Sequence, residues 1–152
     1  GMGLSFGLGC GLAAKMDASE RMIWVMLGDG EVQEGEVWEA AMAAEFHSAS
    51  NLKVIIDRNG IQNDDFVSIQ MEVGDVASKL ASFGWQVLEI DGHSMTDIVQ
   101  ALEWAVSIDD GPCAIVAKTV KGKGVSFMEG NPAFHGKAPD DDELRIALEE
   151  LS

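Results

Sequence analysis

Short apolar runs alternate with amphipathic stretches along the whole chain. Arg21 to Leu27 (RMIWVML), Leu52 to Ile56 (LKVII), Trp85 to Ile90 (WQVLEI) and Cys113 to Lys118 (CAIVAK) are compact and largely apolar. They lack the every-other-residue polarity of a half-exposed strand, so they predict strands buried on both faces, as in a parallel sheet. Between them, Glu34 to Ser48 (EGEVWEAAMAAEFHS) sets Val37, Ala41, Ala44 and Phe46 at near-helical spacing, with acids in the first turn, where the helix dipole favours them. Further helices are predicted around Val73 to Ser82, over Ser94 to Val106 and over Asp140 to Leu151, whose acidic start again suits a helix N-terminus. Ser94 can cap its helix, with Asp97 three residues on as an imperfect capping box. Gly3, Gly7 and Gly11 recur every four residues and would share one helical face, open to close packing.

Strand and helix alternation predicts an α/β fold in which a parallel sheet carries helices on both faces. With 152 residues the chain is long enough for one buried core and reads as one domain, 1–152. It opens on Gly1 inside the glycine-spaced helix, without a leading strand or cap. The expectation is an amino-terminally truncated piece of a longer domain, with an expression scar at Gly1-Met2 as the competing explanation.

Ligands in such folds sit beyond the carboxyl ends of the strands. Three of the four predicted ends are chemically unusual: Gly28-Asp29-Gly30, then Asp57-Arg58-Asn59-Gly60-Ile61, then the segment 119–139 with its four glycines and two prolines. A loop that long inside a compact domain is usually functional. In the first motif two glycines let backbone approach an anion while Asp29 offers hard oxygens to a cation; a tight turn explains the triplet equally well. Asn59 lies thirty positions after Asp29 and would meet it if the two strands are neighbours. The Asp29 carboxylate, the Asn59 amide oxygen and a nearby backbone carbonyl then form a hard-cation site, completed by a diphosphate and water. By charge alone, either Lys121 or Lys123 could contact a phosphate.

Composition narrows the partners. There are 26 Asp and Glu against 10 Lys and Arg, a formal charge of −16, which disfavours nucleic acid and anionic membranes and otherwise promotes solubility. No apolar run is long enough to cross a bilayer. The apolar start carries its only cation at its end, unlike a signal peptide. Cys10 and Cys113 are isolated and form no CxxC pair, which points to reduced thiols in a cytoplasmic protein. His47 and His93 read as structural, at a helix end and in a turn, with His93 able to face a ligand mouth as the lesser reading. The four tryptophans read as core or interface anchors.

The string GDGEVQEGEVWEAAMAAEFHSASNLKVIIDRNGIQND and the later TVKGKGVSFMEGNPAFHGKAPDDDEL resemble the transketolases, most closely the amino-terminal subunit of the split type. The resemblance covers almost the whole chain. It implies the thiamine diphosphate-binding fold, with thiamine diphosphate and Mg2+ or another divalent cation as cofactors. It also implies transfer of a two-carbon ketol unit between sugar phosphates. Asp29, Asn59 and the Ile61 carbonyl match the metal ligands. Gly28 and the Gly30 N–H match the diphosphate-binding turn, and His135 in Phe-His-Gly matches a histidine on the diphosphate side. Glu34 matches a glutamate that links cofactor sites across a dimer interface. Many family members carry uncharged residues at Lys121 and Lys123, and Asn63-Asp64-Asp65-Phe66 departs from the Asp-Gly ending expected there. The implied partner is a carboxyl-terminal subunit or domain, in a homodimer or two-by-two assembly. That partner supplies the activating glutamate, so the isolated chain is expected to turn nothing over. Other readings are a deoxyxylulose-phosphate synthase, a 2-oxoacid decarboxylating component, or a non-catalytic α/β binding module.

Overall fold

A computed structural model describes residues 1–152. Four strands, β1 (Ile23–Gly28), β2 (Leu52–Arg58), β3 (Gln86–Asp91) and β4 (Cys113–Lys118), form one sheet in the order β1-β2-β4-β3. Every pairing is parallel, as the apolar runs predict. Helices α1 (Met2–Met16), α2 (Gly35–Phe46) and α4 (Val76–Ser82) pack on one face, where Leu4, Leu8, Ala41, Ala44, Val76 and Leu80 join Leu27, Leu52, Val54, Ile56, Ala114 and Val116 in the main core. Helix α5 (Met95–Ser107) covers the other face, with Ala101 and Ala105 against Cys113 and Ile115. The short α3 (Val67–Gln70) and the terminal α6 (Asp141–Glu150) complete the chain.

The glycine face does what its spacing predicts. A Cβ on Gly7 would collide with the Val25 side chain, so α1 can sit this close to β1 only with glycine there; one on Gly11 would lie a tight 3.2 Å from Asn51 Oδ1. Ser94 caps α5 by accepting from the Asp97 N–H, but Asp97 bonds the Ser94 hydroxyl instead of the backbone, so the box is incomplete. Asp140 and Glu143 close a full capping box at the acidic start of α6.

Several expectations shift. Strand β1 is buried on one face only: Trp24 is 39 % and Met26 67 % exposed, because α5 lies over β3 and β4 and leaves that side of the edge strand uncovered. Phe46 is 83 % exposed; Val37, Ala40, Ala41 and Ala44 fill the buried stripe of α2, and position 46 falls on the far side, where its ring meets His47 edge-on. Strand β2 runs two residues further than its apolar run, so Asp57 and Arg58 are paired strand residues and not turn residues. The helix expected from Val73 begins only at Val76, where Asp75 accepts from the Ser78 N–H. Trp85 precedes β3 and anchors the core, its indole N–H donating to the Ala41 carbonyl at 2.9 Å.

Gly7→Ala should therefore lower the unfolding free energy by about 1 kcal/mol or more, overpacking against Val25 outweighing the gain in helix propensity. Gly9→Ala meets open space and should raise it by about 1 kcal/mol. Urea unfolding midpoints of the two variants check the contrast.

Candidate functional site

Parallel pairing aligns the strand ends. Gly28 on β1 is level with Asp57 on β2, so Asp29 and Asn59 leave the sheet side by side. Together with Gly28, Gly30, Glu34, Ile61, Lys121 and His135 they line a polar cavity of about 510 Å³ at the carboxyl end of the sheet. A second, mainly apolar cavity of about 590 Å³ lies on the α5 side and shares Asp57, Asn59 and Lys121 with the first.

Asp29 is the buried charge of the site, 1 % exposed. One carboxylate oxygen accepts the Gly60 N–H; the other is buried without a hydrogen-bond partner, with Arg58 Nε 3.5 Å away. Burial pushes the Asp29 carboxyl above its ordinary value, against the pull of the Gly60 N–H and the Arg58 guanidinium. A desolvated carboxylate oxygen with no hydrogen bond can accept a hard cation in place of the guanidinium beside it. Asn59 Nδ2 donates to Asp57 Oδ2 at 3.0 Å, and Asn59 Oδ1 accepts the Ile61 N–H at 2.9 Å with a second lone pair to spare. No backbone N–H bonds to the Ile61 carbonyl. No three His, Cys, Asp or Glu side chains converge to hold a metal anywhere in the chain. One carboxylate, one amide and one carbonyl suit a hard cation that brings its remaining oxygens from phosphate and water.

The glycines have distinct roles. A Cβ on Gly28 would meet nothing within 4 Å, leaving room in the cavity for a bulky group. A Cβ on Gly30 would lie 2.9 Å from the Gln62 side chain, so there the packing requires glycine. Glu34, the N-cap residue of α2, is exposed at the rim.

The structure separates the two loop lysines. Lys121 lines the polar cavity without an ion pair, whereas Lys123 pairs with Glu129 at 3.2 Å and lines the apolar cavity. His135 reaches the polar cavity from the end of a 3-10 turn, Pro132–Phe134, capped by Asn131. The loop itself is well tied. Gly122 takes φ +75°, and a Cβ there would lie 2.5 Å from the Met128 carbonyl oxygen. Gly130 N donates to the Lys121 carbonyl at 2.8 Å, and both Ser126 donors reach the Glu150 carboxylate at 2.6 Å.

Sequence reasoning missed Arg58, Asp57 and Thr119. Only the half-buried end of β2 in the folded sheet reveals that Arg58 faces Asp29 and that the Thr119 hydroxyl donates to Asp57. The one available signal was the acid and base, Asp57 and Arg58, just ahead of Asn59. His93 lines the apolar cavity, its ring Nε2 accepting the Val120 N–H at 2.8 Å. His47 caps α2 at the surface, as expected of a structural histidine.

Residues 12–152 match the family described as the transketolase thiamine diphosphate-binding domain. An apulose-4-phosphate transketolase subunit of Phocaeicola vulgatus is 38 % identical over 152 residues, covering 100 % of this chain and 54 % of that protein. A 6-deoxy-6-sulfo-D-fructose transketolase subunit, SqwG, from Clostridium sp. is 37 % identical, over 99 % of this chain and 55 % of its own length. The chain thus spans about half the length of these curated relatives. Among solved structures, the transketolase of Campylobacter jejuni superposes with a TM-score of 0.86 at 30 % identity, over 97 % of this chain and 24 % of that one.

Hydrogen bonds from Ser126 hold the Glu150 carboxyl below its ordinary value of 4.5. The clamp on the loop is therefore fully present above that unfolded value and is lost as pH falls through the lowered folded value. Hydrogen exchange at the wild-type Ser126 amide should rise as pH falls through that lowered value; Glu150→Ala should raise it already at neutral pH and abolish the acid-dependent step.

Proposed function

The chain belongs to the transketolase family through its thiamine diphosphate-binding domain, and from that premise we propose that it holds the diphosphate of thiamine diphosphate through Mg2+ or another divalent cation. The enzyme it serves transfers a two-carbon ketol unit between sugar phosphates. The observation that carries the proposal is the buried Asp29 oxygen without a partner, at the wall of a cavity that also gathers Asn59, Lys121 and His135.

In this reading Asp29, the Asn59 amide oxygen and the Ile61 carbonyl hold the cation. The Gly30 N–H, Lys121 and His135 offer donors and positive charge to the diphosphate, and Gly28 leaves it room. The cofactor, when bound, supplies a nucleophilic carbon and an electron sink. This chain's residues bind and orient it, while Glu34 at the rim meets a neighbouring protomer. Both curated relatives are named as single subunits of a transketolase, which supports a carboxyl-terminal partner in a dimeric or two-by-two assembly. Free thiols at Cys10 and Cys113 support a cytoplasmic setting.

Calorimetry with thiamine diphosphate should show binding that needs Mg2+. Asp29→Ala should weaken it at least about 100-fold, a first-ligand loss exceeding the usual outer-shell effect. Lys121→Ala should weaken it about 10-fold, one charge-assisted hydrogen bond. Equal affinity with and without metal would reject the site. Once the carboxyl-terminal partner and the upstream amino-terminal segment are both supplied, ketol transfer from a ketose phosphate should appear. Its absence despite metal-dependent cofactor binding would reject the transketolase activity alone.

A further inference from the structure

We propose that Asp57 is a positioning residue that sets two cofactor-facing groups at once: the Asn59 amide and the root of the loop that carries Lys121. The inference rests on the cofactor reading above and assigns a task to a residue that neither contacts the cation in that reading nor belongs to the GDG or FHG motifs.

Asp57 sits in β2, between Gly28 of β1 and Ala117 of β4, at the meeting point of the polar and apolar cavities. Its carboxylate accepts on both sides. Oδ2 takes the Asn59 Nδ2 proton at 3.0 Å, and Oδ1 takes the Thr119 hydroxyl proton. A carboxylate only accepts, so the Asn59 side chain has to turn its NH2 toward Asp57 and its oxygen toward the Ile61 N–H. Reversing that amide would bring two oxygens together on the Asp57 side and two donors together on the Ile61 side. The orientation of Asn59 is thus imposed from behind, and its oxygen is available to a cation because its nitrogen is engaged.

The second arm acts across the sheet. Thr119 immediately follows β4, and its N–H bonds to the Arg58 carbonyl at 3.2 Å while its hydroxyl bonds to Asp57. Its methyl group fills the space that a Cβ on Gly92 would need, so the Gly92 turn closes over it. The next residue, Val120, donates its N–H to the His93 ring. Backbone, hydroxyl and histidine together fix the two residues before Lys121. One carboxylate therefore ties the end of β2 to the chain leaving β4, with one oxygen on each arm.

The discriminating variant is Asp57→Asn in the intact chain. Its amide keeps one acceptor oxygen and gains a donor, so the residue-57 side no longer bars a reversed Asn59 and only the Ile61 N–H still opposes it. In Mg2+ titrations, thiamine diphosphate affinity should fall about 10–100-fold, as for other outer-shell partners of metal ligands. The loss should show as a higher Mg2+ concentration needed for the same thiamine diphosphate binding, a shift that general destabilisation would not produce. In the free protein, nuclear magnetic resonance should show the Asn59 side-chain amide protons shifting and exchanging faster. Thr119→Val should loosen amide exchange at 119–123 and weaken cofactor binding while leaving the Asn59 amide in place; Thr119→Ser should restore both. The Thr119 pair decides the question for the second arm if Asp57→Asn fails to fold. Wild-type affinity and Mg2+ dependence in Asp57→Asn, with an unmoved Asn59 amide, would overturn the proposal. If the wild-type chain shows no metal-dependent binding, the cofactor reading falls by itself. The Asn59 amide and loop-exchange readouts, which need no cofactor, then still decide whether Asp57 orients them.

Discussion

A carboxylate removed from water at the end of a parallel strand pair is the constraint around which this structure is arranged. Burying Asp29 is unfavourable unless something answers its charge; Arg58 supplies the counter-charge, yet only one of the two oxygens is hydrogen-bonded. The Gly60 N–H satisfies one oxygen and Arg58 stands near the other without bonding to it. The pairing of β1 with β2 makes this unavoidable, because the register that sets Gly28 beside Asp57 also carries Asp29 beneath the Asn59-Gly60 turn. A one-residue slip would turn the Asp57 side chain to the other face of the sheet and break its bonds to Asn59 and Thr119.

Rigidity reaches the site from three directions. The sheet holds Asp29 and Asn59 directly. Helix α1, drawn close by Gly7, backs β1 with contacts that leave little space for adjustment. The long loop is the least regular part, yet it is fastened at its root by Thr119 and Val120, in its middle by Gly122 and Glu129, and at its far side by Glu150. Lys121 is thus held at the cavity wall by its neighbours while its own ammonium stays unpaired, a state suited to receiving an anion.

The two faces of the sheet differ in finish. The face packed by α1, α2 and α4 holds a continuous core, whereas α5 covers only the β3–β4 half of the other. Met26 and the apolar cavity beside it belong to that open half, adjoining the polar cavity through Asp57, Asn59 and Lys121. One shared wall therefore borders a polar, hydrogen-bonding pocket on one side and an apolar one on the other.

Much of this was legible along the chain. Continuous apolar runs, helical spacing and glycine punctuation are local patterns, and they located all four strands, the α5 cap and the helix at Asp140. The Gly-Asp-Gly and Asn-Gly-Ile motifs, together with the long loop, pointed to segments that the fold gathers around one polar cavity. What sequence could not decide was contact between distant parts. Whether a strand is covered depends on where the following helix lands, which is why Trp24 and Met26 belied their apolar run. Which of two neighbouring lysines faces the cavity depended on a left-handed glycine and on Glu129 drawing Lys123 away. The Asp57 bridge joins residues 62 positions apart. Local periodicity records what each segment can become, but register and burial are settled only when segments far apart in the chain compete for the same space.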